Sequence, residues 1–336
     1  MSDFKGIIKS TSVYTFLGFL PLAFGFFITP LYTYYLSKEQ LGEVNLFNTL
    51  ATTFLLFYSM SVDASFGNLY FENFNNKKKL QLLFGTTLSL ALIFSIGGIS
   101  IILLLGKYIF PLFLRSSALY TSPPVVYYLA LMPFCNLLYN IFIALYRNEQ
   151  KILRYSILNI SALVGMTIGT LTGIIYLNMG SLGAIAGKTI GYGFFILIFL
   201  VSYLLSNGLR FNMIYAKRIL TYGLPIFLYL SLGQVSSITD RIMIEHFFDL
   251  SQLGVYGLAI VIASVAEIWI GAVSNAVSPV IYRYIKTGVE ENTKKLQFLF
   301  KIQYISVILI ICLIIALVKP LTDTIISEKF REVVYF

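Results

Sequence analysis

The sequence predicts an all-α protein that crosses a membrane several times. Hydrophobic residues make up 58% of the 336-residue chain and charged residues only 12%, and the mean hydropathy is +0.83. Soluble globular domains do not reach these values. The apolar blocks are long enough to cross the ~30 Å hydrocarbon core of a bilayer as helices. Because the blocks lack the alternating pattern of barrel strands, we expect helices.

Apolar blocks separated by short polar segments predict nine transmembrane spans. The first block is far longer than the apolar region of a cleavable signal, so we expect it to remain as the first span. The predicted spans cover residues 13–35, 44–66, 82–105, 123–146, 156–177, 182–205, 222–247, 253–282 and 298–318.

The distribution of basic residues predicts the orientation of these spans. With a cytoplasmic N-terminus, fifteen of the 24 Lys and Arg residues fall in cytoplasmic segments and six in outer segments. Cytoplasmic loops of membrane proteins carry this excess, so the net charge of +9 requires no nucleic acid partner. Cys135 and Cys312 lie inside apolar blocks and His246 is the only histidine, so neither a disulfide framework nor a metal site is predicted.

The fifth and sixth spans contain glycines at every fourth position, which predicts a close helix pair. Such glycines leave a strip without side chains on one helix face, and two backbones can then approach closely in lipid. The connection at residues 177–181 is short, so we expect antiparallel neighbours and not a phosphate-binding loop. The glycines are Gly165, Gly169 and Gly173 in the fifth span, and Gly183, Gly187 and Gly191 in the sixth.

Short internal matches predict that a unit of six helices is repeated. Residues 78–84 (KKLQLLF) recur at six of seven positions as residues 294–300 (KKLQFLF). Gln-Leu-Gly occurs at 40–42 and 252–254, and Leu-Pro at 20–21 and 224–225. Parallel repeats of this kind give two pseudo-symmetric lobes, here 1–205 and 206–336. The second lobe has only three spans, so we expect a truncated or fragmentary chain.

Charged residues within the seventh span are the first candidates for a functional site. A charge at this depth costs at least ~2.5 kcal/mol, so it normally faces a bundle interior or a water-filled cavity. Arg241 carries a planar guanidinium suited to phosphate oxygens, which makes it a candidate for binding a diphosphate or an acidic sugar. Alternatively, it forms a local ion pair with Asp240 or with Glu245, four residues further on.

Two other spans each contain a charged candidate. Lys188, near the outer end of the sixth span, either adds positive charge to a substrate cavity or extends to the membrane interface. Glu267 lies near the middle of the eighth span, where we expect a buried carboxylate. It is a candidate for coupling to H⁺ or Na⁺, and the alternative is a hydrogen-bonded structural Glu. No other cofactor is predicted.

Several segments together resemble one known family. The sequences YGLP at 222–225, TDRIMI at 239–244 and LGVYGLA at 253–259 resemble the central segment of polysaccharide-biosynthesis transporters. Residues 30–42 are similar to the start of that family. These are the O-antigen-type flippases of the multidrug/oligosaccharidyl-lipid/polysaccharide exporter superfamily.

The resemblance implies a bacterial cytoplasmic membrane protein with two six-helix lobes around a central cavity. It also implies alternating access and movement of a polyprenyl-diphosphate-linked oligosaccharide from the cytoplasmic to the outer leaflet. The partners implied are this lipid-linked oligosaccharide, membrane lipids and other polysaccharide assembly proteins.

Two other functions compete with this interpretation. A cation-coupled multidrug antiporter of the same superfamily favours an acidic, aromatic cavity, whereas the charged set here (Asp240, Arg241, Lys188 and Glu267) is mixed and suits an anionic head group. A membrane-bound polysaccharide polymerase or glycosyltransferase needs a carboxylate pair or a nucleophile with its base, and the short outer segments supply neither. The sequence therefore favours a transporter over an enzyme.

Overall fold

A computed structural model describes residues 20–72, 76–286 and 289–335, and this part of the chain is helical without strands. A π-helical turn, Thr172–Tyr176, extends α7, and short 3₁₀ helices cover Phe110–Leu112 and Glu328–Tyr335. The α-helices are α1 (Leu20–Tyr35), α2 (Lys38–Ser59), α3 (Val62–Glu72), α4 (Lys77–Ile109), α5 (Ser117–Thr121), α6 (Val125–Asn148), α7 (Ile152–Leu171), α8 (Gly180–Asn207), α9 (Met213–Phe247), α10 (Leu250–Lys286) and α11 (Val289–Ile325).

Seven of the described helices are long and apolar enough to cross a membrane, namely α4 and α6 to α11. They match the third to ninth predicted spans, and they confirm an all-α polytopic membrane protein. Most are longer than their apolar blocks. The first predicted span, 13–35, lies partly outside the described residues.

The second predicted span, 44–66, is not continuous. Helix α2 ends at Ser59, and Met60 and Ser61 adopt left-handed backbone conformations with φ of 42° and 56°. Helix α3 then begins at Val62. A Cβ added at Gly223 of α9 would lie 2.8 Å from the Met60 carbonyl oxygen. The predicted span is therefore interrupted between Ser59 and Val62, and the break lies where α9 packs against the chain.

By internal contacts the chain divides into two compact units. The first contains residues 20–24 and Tyr35–Gly254, and the second contains Gly25–Tyr34 and the described residues from Val255 onwards. This division follows contacts and does not test the repeat, so the lobes 1–205 and 206–336 stay a prediction.

Helix α6 lies at the centre of the first unit and packs against α2, α3, α4, α7 and α8. Beside it, the ring of Phe84 on α4 lies 5.4 Å from the ring of Phe66, 5.8 Å from that of Phe142 and 4.7 Å from that of Tyr203, measured between centroids. In the second unit, the Lys329 ammonium donates to the Tyr34 carbonyl oxygen at 3.2 Å, and Phe330 is fully buried.

The glycines at every fourth position of α7 with its π-helical turn and of α8, which we call the glycine ladders, join these helices as predicted. A Cβ added to any glycine of one ladder would overlap the carbonyl oxygen of its partner in the other. The partners run in opposite directions along the two helices, so the pair is antiparallel. They are Gly165 with Gly191, Gly169 with Gly187, and Gly173 with Gly183.

Several helix ends that carry basic residues come together at one end of the first unit. Lys77 begins α4, Lys151 directly precedes α7, and Arg210 follows α8. We call this the basic end. Asn212 begins α9 here, because its side-chain oxygen accepts from the backbone N–H groups of Ile214 and Tyr215 at 2.9 and 3.2 Å.

Candidate functional site

Polar side chains connect α2 with α8 and α9 inside the first unit. The Lys188 ammonium on α8 donates to the Asn48 side-chain oxygen on α2 at 2.8 Å. The Gln234 side-chain amide on α9 donates to the Thr53 hydroxyl at 2.8 Å and to the Thr52 hydroxyl at 3.5 Å. We call Asn48, Thr52, Thr53, Lys188, Gln234 and Arg241 the polar seam.

Arg241 lies on the same side of α9 as Gln234, because seven residues make about two helical turns. Its Nη1 donates to the Ser237 carbonyl oxygen at 2.7 Å and to the Ser237 hydroxyl at 2.9 Å. The guanidinium is therefore held along its own helix and is half-buried, whereas the neighbouring Asp240 is exposed. Both cations of the polar seam, Lys188 on α8 and Arg241 on α9, lie on helices that are long and apolar enough to cross a membrane.

Lys188 does not extend to the membrane interface. Its ammonium is directed to Asn48, eleven residues into α2, and a direct hydrogen bond to a side-chain oxygen partly replaces the water that the charge has lost. The interfacial interpretation is therefore wrong. Residue spacing alone gave no signal for this contact, since the two partners are 140 positions apart.

Glu245 holds α9 against the segment that follows α4. Its two carboxylate oxygens accept from the backbone N–H groups of Arg115 at 3.0 Å and Ser116 at 2.5 Å. The side chain is only 2% exposed, so these two bonds replace part of its lost hydration. The sequence predicted an ion pair for Glu245 and gave no signal for these two backbone contacts.

Glu267 belongs to the second unit and lies midway along α10. Its side chain is exposed, as is Ala263 one turn earlier, so this face of α10 is directed away from its own unit. The protein does not bury the carboxylate, contrary to expectation. Its role in ion coupling stays a prediction.

The start of α2 contacts the start of α10 through two glycines. A Cβ added at Gly42 would overlap the Leu250 carbonyl oxygen, and one added at Gly254 would overlap that of Lys38. The contacts are reciprocal, as a local two-fold relationship requires. The repeated Gln-Leu-Gly therefore occupies equivalent positions in two helices that meet, which we call the glycine crossing.

Both helices of the glycine crossing also begin alike. The Ser37 hydroxyl accepts from the Gln40 backbone N–H at 3.1 Å, and the Asp249 carboxylate accepts from that of Gln252 at 2.7 Å. Each helix thus has a side-chain cap three residues before the repeated Gln, which fixes where the helix starts.

Glu43, next to the glycine crossing, connects α2 to two further elements. Its carboxylate accepts from the Ser181 hydroxyl, and its carbonyl oxygen accepts from the Tyr120 hydroxyl at 2.9 Å. Burial, followed by the nearby Glu43 and Glu245 carboxylates, raises the pKa of Tyr120 well above its usual value. Tyr120 is therefore a neutral hydrogen-bond donor that joins α5 to α2.

The groups of the polar seam are nitrogen donors, amides and hydroxyls. Within residues 20–72, 76–286 and 289–335, no three His, Cys, Asp or Glu side chains form a group that could hold a metal ion. The polar seam offers ammonium, guanidinium, amide and hydroxyl groups, which bind anions and sugars in proteins.

Comparison with known proteins identifies the family. An uncharacterized membrane protein of Haemophilus influenzae is 22% identical over 298 residues, which cover 84% of this chain and 67% of that protein. No solved structure matches the chain. Residues 35–335 match the family described as polysaccharide biosynthesis protein. Because that match extends over most of the sequence, the chain belongs to the polysaccharide biosynthesis protein family.

Proposed function

We propose that this protein moves a polyprenyl-diphosphate-linked oligosaccharide across the bacterial cytoplasmic membrane for surface polysaccharide biosynthesis. The observation that carries the proposal is the polar seam, which joins α8 and α9 through α2 and contains two cations. Cations among membrane-crossing helices are costly, and they are found where a polar or charged group has to pass. A diphosphate is such a group.

Arg241 is the residue that we assign to the diphosphate. A guanidinium presents N–H donors in a planar fork that matches two phosphate oxygens, and it stays charged when water is removed. Ser237 orients the group along α9 through two hydrogen bonds. Lys188 adds a second positive charge, and the amide of Gln234 offers a group that hydrogen-bonds sugar hydroxyls.

Alternating access requires the pathway to open at one end while it closes at the other. The glycine crossing supports this mechanism, because two helix starts that meet without side chains between them form a contact that can close fully. We assign this end to the outer side and the basic end to the cytoplasm, following the excess of Lys and Arg there. The N-terminus is then cytoplasmic.

Glu267 is the residue that we assign to ion coupling. A carboxylate in the middle of a membrane helix can take up H⁺ or bind Na⁺ as the protein changes conformation. The partners in this proposal are the lipid-linked oligosaccharide, the surrounding membrane lipids and other proteins of polysaccharide assembly.

Translocation of a labelled lipid-linked sugar in reconstituted vesicles tests the proposal. Arg241→Ala removes charge-assisted hydrogen bonds to phosphate and should slow translocation by about tenfold or more. Arg241→Lys keeps the charge without the fork and should retain part of the rate.

Lys217→Ala is the matched control, since it removes an exposed basic residue on the same helix, far from the polar seam. It should translocate like the parent. If Arg241→Ala also translocates like the parent, the assignment of Arg241 to the diphosphate is wrong.

A further inference from the structure

A polar cavity lies at the basic end of the first unit, away from the polar seam. Its volume is about 780 Å³, within the ~300–1,000 Å³ typical of small-molecule sites. The cavity is lined by the C-terminal ends of α3, α6 and α8 and by the starts of α4 and α7. The short connection between α6 and α7 completes the lining. Arg241 is about 42 Å along α9 from the Met213 start of that helix, so the cavity is a separate site.

The cavity carries positive charge that the protein does not neutralise. Lys151 pairs with Glu149 at 2.8 Å, and both line the cavity. Lys77 and Arg154 also line it, and neither has a carboxylate of the described residues within 4.0 Å. Two cations without an acidic partner, beside one neutralised pair, favour an anionic ligand.

The walls of the cavity add neutral hydrogen-bonding groups. Three tyrosines contribute rings that carry a hydroxyl, namely Tyr70, Tyr146 and Tyr203. Amide and hydroxyl side chains complete the lining, among them Gln81, Ser202 and Asn207. These groups both donate and accept hydrogen bonds, as a ligand with several hydroxyl groups requires.

One wall of the cavity is formed by closely packed aromatic rings. Phe84 and Tyr203 line it, and their rings pack edge to face with centroids 4.7 Å apart. Tyr70 and Tyr146 are only 4% and 5% exposed, so packing also fixes their rings. A preformed wall lowers the conformational cost of binding.

We infer that this cavity binds a phosphate ester whose other part carries several hydroxyl groups. Lys77 and Arg154 bind the phosphate, and the tyrosines with their amide and hydroxyl neighbours bind the polyol. Basic pockets between membrane helices at the cytoplasmic side bind anionic lipid head groups in this way. Two sources supply the same chemistry: the glycerol phosphate head group of an anionic lipid, and a soluble sugar phosphate.

Native mass spectrometry of the 336-residue chain in detergent tests this inference with two probes, phosphatidylglycerol and glucose 1-phosphate. The double variant Lys77→Gln/Arg154→Gln removes the two cations that have no acidic partner. It should bind at least one probe about tenfold or more weakly than the parent, because charge-assisted bonds to phosphate are lost. Tyr203→Phe should weaken binding of the same probe less, since it removes only one neutral hydroxyl.

The matched control is Lys78→Gln/Lys217→Gln, which removes two exposed cations of the basic end that do not line the cavity. It should bind both probes within about twofold of the parent, because neither side chain reaches the cavity and salt screens charges that do not touch the ligand. The probe that responds to Lys77 and Arg154 identifies the source as lipid or soluble. If neither probe responds, or if the control loses binding equally, the cavity is not a phosphate site and the inference is overturned. Melting temperatures of all variants establish that they are folded.

Discussion

Glu245 is a charged side chain that stabilises a membrane helix by a contact far away in the sequence. Its carboxylate accepts two backbone N–H groups, from Arg115 and Ser116, in a nearly solvent-free environment. Arg115 and Ser116 lie in the turn before α5, where their backbone N–H groups have no helical partner, so the carboxylate satisfies donors that would otherwise be costly to bury. One side chain thus fixes the position of α9 beside the α4–α5 connection.

Glu245→Gln should destabilise the protein. The amide has one oxygen, so its NH₂ group faces a backbone N–H that it cannot accept from, at a cost of about 1–3 kcal/mol. The expected result is a lower melting temperature of the purified protein in detergent. Asp240→Asn, on the exposed side of the same helix, should melt like the parent. Equal melting temperatures for Glu245→Gln and the parent would mean that the two hydrogen bonds contribute nothing.

At this scale the sequence predicted which residues are unusual but not what they contact. Lys188, Arg241 and Glu245 stand out because charges are rare in apolar helices. Their partners come from packing of distant elements: Asn48 is 140 positions from Lys188, and Ser116 is 129 from Glu245. No local pattern encodes such a contact.

At the scale of elements, the α7–α8 pair is the part of the fold that the sequence specifies best. Three glycines on each helix meet in reverse order, and each added Cβ would overlap a backbone carbonyl oxygen. Since lipid provides no hydrophobic force between helices, this pair depends on close van der Waals packing. The glycines at every fourth position, which are visible in the sequence, are the residues that form the contact.

Gly169→Ala should therefore separate α7 from α8. The added methyl group overlaps the Gly187 carbonyl oxygen, and overpacking of this kind costs about 1–3 kcal/mol. Gly97→Ala makes the same chemical change in α4, where no atom lies within 4 Å of the new Cβ. The control should be neutral or more stable, because Ala favours a helix over Gly by about 1 kcal/mol. Thermal unfolding in detergent compares the two, and a neutral Gly169→Ala would contradict the packing model.

The break between α2 and α3 is the element that the sequence did not predict. Met and Ser are both common in helices, so Met60 and Ser61 do not signal a turn, and no Gly or Pro lies between α2 and α3. Their left-handed conformations are stabilised by tertiary packing, with Gly223 of α9 lying against the Met60 carbonyl oxygen. Apolar length predicts a span, whereas a break without turn residues depends on the neighbouring helix.

At the scale of the whole molecule, the glycine crossing gives the internal repeat a physical meaning. Gln-Leu-Gly at 40–42 and 252–254 looked like evidence of duplication only. In the structure the two copies start equivalent helices, and their glycines contact each other reciprocally. A side chain at either glycine would disrupt the same interface, so both occurrences of Gln-Leu-Gly serve one contact.

Gly42→Leu should keep the pathway open at the glycine crossing, because the side chain overlaps the Leu250 carbonyl oxygen. The reporter is Thr52→Cys on the exposed part of the polar seam, with Cys135→Ala and Cys312→Ser removing the native thiols. A membrane-impermeant maleimide added outside intact cells should label the reporter several-fold faster with Gly42→Leu, while lipid-linked sugar translocation falls. Gly97→Leu is the control, since its side chain meets no neighbour within 4 Å of Cβ, and it should leave both rates unchanged. Equal labelling of Thr52→Cys with and without Gly42→Leu would mean that the pathway closes elsewhere. The alternating-access role of the crossing would then be wrong, although the polar seam would remain a binding site.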